Sequence, residues 1–198
     1  MRVLVVLAHP VPESFAHALH GRVASALTGA GHEVRELDLH RIGFDPVLST
    51  DDRRHYHTRD LNAARVVDQL AHLQWAEGLI FVYPTWWYSL PAMLKGWIDR
   101  VWVPFVTFEL PSGLKPVQGR MQNIRLIGGV STYGSPWWWI RFVIGDPGRR
   151  IIMRGLRPLC HPRCRTFWLG HYRMDSSTPT SRTSFLAKVE ARMRKIPL

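Results

Sequence analysis

The chain of 198 residues has two cysteines, no Gly-x-Gly-x-x-Gly turn, and only 15 acidic residues against 26 lysines and arginines. It also lacks any apolar run of the roughly 20 residues that a bilayer-crossing helix needs. Each shortage excludes something. Cys160 and Cys164 are too few for the disulfide framework of a small secreted fold. The apolar run at residues 3–8 is too short for the core of a secretion signal and ends at His9-Pro10. The expectation is a reduced, cytoplasmic protein without a membrane span. Without the glycine fingerprint, the usual dinucleotide-binding turn is absent. The chain also has no internal repeat, low-complexity tract or domain linker, so residues 1–198 read as one domain.

The formal charge is +11, yet the basic residues run from Arg2 to Lys195 without a dominant cluster. No nucleic-acid reading motif accompanies them, so the charge reads as a basic surface that attracts anionic cofactors rather than a nucleic-acid site. Hydrophobic (46%) and charged (21%) fractions suit an ordinary globular protein with a substantial core. The nine tryptophans are unusual in placement, with Trp86-Trp87, Trp97, Trp102 and Trp137-Trp138-Trp139 all in the middle of the chain.

Five β-rich runs alternate with helical patterns, the order of a parallel sheet covered on both faces. Strands are expected at 3–8, 33–39, 78–83, 124–127 and 166–169, the fourth closed by Gly128-Gly129. A helix is expected from Phe15 to Ala30, with Ser14 as its cap and Gly29 and Gly31 as stops. A second starts near Asp60 and carries Leu61, Ala64, Val67 and Leu70. A third runs from Pro91 through Trp97 to Val101, and a last one is opened by Thr178-Pro179. Residues 40–58 read as a long loop, 104–119 as a surface excursion, and 136–156 as two helical pieces broken at 145–147.

In an open parallel sheet, ligands bind beyond the carboxyl ends of the strands, where strand order reverses. After the first strand, His9, Ser14 and Phe15 lead into a helix whose free amides and positive dipole end suit a phosphate. A plain reading, Ser14 as a simple cap and His9 as a loop residue, stands beside that one. After the third strand comes Pro84-Thr85-Trp86-Trp87-Tyr88-Ser89-Leu90-Pro91. Three aromatics on a strand-to-helix turn suit a flat ring with apolar faces and one polar edge; an aromatic satellite core or a dimer contact is the alternative. Cys160, His161, Cys164 and His171 are zinc-ligand types, but their order matches no common spacing, and they read as structural. No metal is expected.

The motif Ala8-His9-Pro10 with Ser14-Phe15, and above all the stretch from Tyr83 to Val101, resembles the NAD(P)H:quinone oxidoreductase family. Phe44-Asp45-Pro46-Val47-Leu48 matches that family's loop after strand two, and the likeness covers roughly residues 1–190. The family has an α/β, flavodoxin-like fold with a five-stranded parallel sheet and helices on both faces. It includes the ancillary flavoproteins of potassium-efflux systems.

The resemblance implies a flavin phosphate on His9, Ser14 and Phe15, and a flavin ring held by Pro84, Thr85, Trp86, Trp87 and Tyr88. Ser131, Thr132, Tyr133 and Gly134 would close the other side, where the family more often has Thr-Thr-Gly-Gly. Tyr133 is the expected catalytic residue, and the family's partner His has no counterpart between residues 132 and 160. Trp168 lies inside a strand, outside this site.

The activity implied is two-electron transfer from NAD(P)H through the flavin to a quinone-type acceptor, by a ping-pong mechanism. FMN is expected over FAD, because no segment serves an adenine. The alternative is a redox-sensing subunit docked on a membrane potassium-efflux transporter. A carrier flavodoxin is disfavoured, since such carriers are typically acidic. A homodimer is implied by the family, and the apolar helix from Pro91 to Trp102 is expected to supply part of its contact.

Overall fold

The computed structural model describes residues 1–198. Strands β1 (Arg2–Leu7), β2 (Glu33–Asp38), β3 (Gly78–Pro84), β6 (Leu126–Thr132) and β7 (Arg165–His171) form one all-parallel sheet in the order β2-β1-β3-β6-β7. A separate antiparallel pair, β4 (Phe108–Glu109) and β5 (Gln118–Gly119), stiffens the excursion after the third long strand. Helices α1 (Phe15–Gly29) and α6 (Pro179–Met193) cover one face. Helices α3 (Val67–Trp75) and α4 (Ala92–Val101) cover the other.

Side chains alternate across a strand, so an unbroken apolar run serves two cores at once. Along β1, Val3, Val5 and Leu7 join the core beneath α1 and α6. Leu4 and Val6 join the opposite core with Phe81 and the fully buried Trp97. Ser14 caps α1 by accepting from the His17 amide at 3.3 Å. The chain leaves that helix through Gly31, whose φ of +86° favours a residue without a Cβ. Thr178 and Ser181 form a reciprocal capping box on α6, with Pro179 in the first turn.

Four expectations need correction. Gly128 and Gly129 do not end the fourth long strand; they lie inside β6. A Cβ on Gly128 would stand 2.1 Å from the Phe167 ring, and one on Gly129 2.2 Å from the Trp168 ring. The glycines therefore admit two large rings from the neighbouring strand. The second helix does not begin near Asp60. Asp60 holds φ +70°, Asn62 donates to the Pro104 carbonyl at 2.8 Å, and the helix starts at Val67. The supposed loop at 40–58 contains a short helix, α2 (Thr50–His55), with a Ser49–Asp52 capping box.

Fourth, α4 buries Leu94, Trp97, Ile98 and Val101 in the chain's own core. Its apolar character therefore needs no partner subunit. Residues 136–156 are irregularly helical, as the break at 145–147 foretold. A π-helical turn (Trp139–Ile144) ends at Gly145, and Asp146 is left-handed ahead of α5 (Pro147–Arg150) and a second π-helical stretch (Ile151–Leu156).

Candidate functional site

Strand order reverses between β1 and β3, and the two loops that leave their carboxyl ends diverge to opposite faces of the sheet. On the β1 side, the Ser14 amide donates back to the Val11 carbonyl at 3.1 Å and the Ser14 hydroxyl takes the His17 amide, so the Phe15 and Ala16 amides of the first turn of α1 stay without a backbone partner. The Ser14 hydroxyl pairs with His17 Nδ1 at 3.1 Å, and the other His17 nitrogen meets Asp38 at 3.3 Å. That chain fixes the helix entrance. His9 Nδ1 accepts from the Val11 amide at 3.1 Å and its ring lies 5.9 Å from Trp86, so it bridges the two loops. Burial holds its pKa below the usual imidazole value, with the neighbouring His17 and His40 acting in the same sense. Phe15 faces inward, its ring 5.5 Å from His171 and 6.5 Å from Phe185.

On the β3 side, Trp86 and Ser89 exchange both backbone hydrogen bonds, at 3.2 and 3.0 Å, around a two-residue tip. The tip residues Trp87 and Tyr88 both have positive φ, 46° and 63°. Such turns are ordinarily built from Gly, Asn or Asp, because side chains at positive φ are strained. The turn nevertheless presents an indole that is 95% exposed. Opposite it, Thr85 donates its amide to the Thr132 carbonyl at 2.7 Å, and its hydroxyl shares a hydrogen bond with Ser131 at 3.0 Å. Ser131 is fully buried, so it supports Thr85 rather than facing the cleft.

Between the Trp86–Ser89 turn and the loops that follow β6 and β7 lies a cleft of about 520 Å³ whose lining includes Pro84, Trp86, Trp87, Thr132, Met174 and Asp175. An adjoining cleft of about 220 Å³ is lined by Tyr88, Tyr133 and Ile140 among others, and Thr85, Trp87 and Gly134 belong to both. A cleft of several hundred Å³ with exposed aromatic walls, and with Thr85, Thr132 and Asp175 in its lining as polar groups, fits a flat heteroaromatic ring with a polar edge. The residues present therefore suit a flavin.

The structure thus brings together Pro84, Thr85, Trp86, Trp87, Tyr88, Thr132, Tyr133 and Gly134, with His9 alongside. It adds Ile140, Met174 and Asp175, which the sequence reading missed. Met174 and Asp175 follow β7, and the same carboxyl-end rule, applied to the fifth strand of the sheet, points at them.

Behind the cleft, Tyr133 is buried. Its hydroxyl accepts from Trp168 Nε1 at 2.8 Å and donates to Asp146 at 3.2 Å. Burial, and secondarily the Asp146 charge, push the Tyr133 phenol well up. Tyr172 stacks on Tyr133 at 4.7 Å and is itself pushed up to about 12 by burial. Trp168 lies within β7 and lines neither of these two clefts, but its indole N–H holds the Tyr133 hydroxyl from behind. Cys160 and Cys164 are both buried; Sγ of Cys160 lies 3.5 Å from the Leu156 carbonyl, while His171 packs on Phe15 and Phe185 instead.

A parallel sheet in this order, with an aromatic cleft at the carboxyl ends of its strands, defines a flavodoxin-like protein. The family model for the flavodoxin-like fold matches residues 1–142, and the chain belongs to that family. Among curated relatives, the uncharacterized NAD(P)H oxidoreductase YcaK of Escherichia coli K12 is 36% identical over 133 residues, 65% of either chain. NAD(P)H dehydrogenase (quinone) 1 of Rattus norvegicus is 30% identical, over 68% of this chain and 54% of its own. The chain spans 44% to 65% of the first curated relatives' lengths. Among solved structures, Smu.1420 of Streptococcus mutans UA159 superposes with a TM-score of 0.86 at 29% identity, covering 99% and 100% of the two chains. A putative quinone reductase of Klebsiella pneumoniae gives 0.82 at 25%, over 98% and 83%.

Proposed function

We propose that this chain is a flavin-dependent oxidoreductase that takes two electrons from NAD(P)H and delivers them to a quinone-type acceptor. The observation that carries the reading is the aromatic-walled cleft between the Trp86–Ser89 turn and the Thr132–Gly134 loop, at the carboxyl ends of β3 and β6. The naming of its relatives as NAD(P)H oxidoreductases and quinone dehydrogenases supports it.

A bound flavin supplies the hydride-accepting and hydride-donating centre. The chain supplies the rest. The α1 amides, Ser14 and His9 hold the cofactor phosphate, and FMN suits the absence of a segment for an adenine. Trp86, Trp87 and Tyr88 cover the ring and exclude water. Thr85, fixed by Ser131 and Thr132, offers polar contact at the ring's edge. Tyr133, which lines the adjoining cleft, holds a proton at its hydroxyl toward Asp146. Nicotinamide and acceptor occupy this one place in turn, which is ping-pong kinetics.

Heating the purified yellow protein and weighing the released cofactor tests the first half, with a mass of FMN expected. Protein that stays colourless after incubation with FMN and with FAD refutes the reading. Initial rates with acceptor varied against NAD(P)H test the second, with parallel double-reciprocal lines expected. Intersecting lines mean that both substrates are held together, and the shared site is wrong.

A further inference from the structure

Asp146 is the least expected group in this protein. It is a carboxyl only 2% exposed, set in a left-handed conformation (φ 52°) between a π-helical turn and α5. One oxygen accepts from the Tyr133 hydroxyl at 3.2 Å. The other has no hydrogen-bond partner, and the Arg141 guanidinium stands 3.8 Å from it. Tyr133 lines the cleft in front of it, and Asp146 lines a separate cleft of about 200 Å³ with Arg141, Arg149, Trp168 and Tyr172. The single hydrogen bond between them therefore joins a residue that lines one cleft to a residue that lines the other.

A phenol oxygen has two acceptor positions and one proton. Trp168 occupies one acceptor position, and the proton points at Asp146. When the carboxyl is protonated, its O–H fills the second acceptor position and frees the phenol proton toward the front cleft. Burial favours that neutral carboxyl and raises its pKa, against the opposing pull of the Tyr133 hydrogen bond and, after it, of Arg149 and Arg141. The hydroxyls of Tyr83, Tyr133 and Tyr172 face it as neutral groups.

We infer that Tyr133 and Asp146 form a two-membered proton path from the rear cleft to the acceptor site. The inference rests on the function proposed above and adds the route of its proton. The acceptor's oxygen takes the phenol proton as the carbon framework takes the two electrons with a hydride. The phenolate takes the carboxyl proton, and the carboxylate is recharged by water through the rear cleft. Neither residue changes oxidation state. Asp146 acts through Tyr133 and does not touch the acceptor.

Asp146→Asn keeps the shape and abolishes the proton. Oxygen-free reduced protein is mixed with a small quinone, which needs a proton, and with ferricyanide, which does not. The expected result for D146N is at least a tenfold loss with quinone, within the usual range for acid–base assistance, and less than twofold with ferricyanide. The quinone rate of the wild type should fall as pH rises through the carboxyl's pKa, and that limb should be missing in D146N.

A second readout needs no cofactor. A carboxyl with a raised folded-state pKa binds a proton that the unfolded chain releases. Wild-type apoprotein should therefore lose melting temperature relative to D146N as pH rises from about 4 toward neutrality. If D146N does not fold, Tyr133→Phe should show the same selective loss with quinone. Equal rates with quinone in wild type and D146N, or an equal loss with both acceptors in either variant, overturns the path and leaves the flavoenzyme reading intact. Wild type that reduces neither acceptor overturns both.

Discussion

Trp87 and Trp97 stand ten positions apart in one motif and do opposite work. Trp97 is fully buried, donating its indole N–H to Gln69 at 3.1 Å, whereas Trp87 is 95% exposed. Trp97→Ala should cost about 3–5 kcal/mol in urea unfolding, the usual range for deleting a buried tryptophan. Trp87→Ala should leave apoprotein stability within about 0.5 kcal/mol, as surface changes do, yet weaken flavin binding about tenfold in a fluorescence titration. A large stability loss on Trp87→Ala would mean that the turn is structural. Trp168 lines neither of the two clefts that Trp87 borders, but its N–H reaches the Tyr133 hydroxyl: Trp168→Phe should slow quinone reduction in stopped-flow mixing while leaving the flavin bound.

At the scale of elements, the glycine pair of β6 divides stability from function. Successive strand residues face opposite sides, so Gly128 lies under Phe167 in one core and Gly129 under Trp168 behind the site. Gly128→Ala should cost about 1–3 kcal/mol by overpacking and leave quinone turnover of the folded fraction unchanged. Gly129→Ala should cost a similar amount and also slow quinone reduction, because it displaces the ring that bonds Tyr133. Chemical unfolding and turnover measured on both variants separate the two effects.

The same strand marks where sequence reasoning stops. Apolar runs, the Ser14 and Thr178 caps, and the break at 145–147 are local signals, and the sheet, α1 and α6 were legible from them. Gly128-Gly129 looks like a strand end because the rings that require it come from a strand nearly 40 residues later. The lining turn at 84–88 was legible because aromatic residues there have no local reason to be exposed. Asp146 was not, since its partner Tyr133 is brought to it only by the irregular crossover between β6 and β7.

For the whole molecule, the +11 charge acts at a distance. NAD(P)H is anionic and small quinones are neutral, so added salt should raise KM for NAD(P)H several-fold, leaving that for quinone and kcat nearly unchanged. Equal salt effects on both substrates would mean that the charge does not steer the donor. The exposed Trp137, Trp138, Phe142 and Val143 form an apolar strip beside the site. Strips of that kind favour a second copy, and light scattering should give about twice 22.9 kDa. Phe142→Asp should shift that mass toward the monomer.

The outward-pointing indole at the turn also makes the protein its own optical probe. Trp87 meets water over nearly its whole surface, whereas the other exposed indoles, Trp86, Trp137 and Trp138, are only about half uncovered. Its emission should be the most red-shifted in the protein's fluorescence, and the part that a flat molecule entering the cleft quenches. Ligands without colour or turnover can therefore be ranked by that signal alone, and its loss in Trp87→Ala would assign the signal to a single residue.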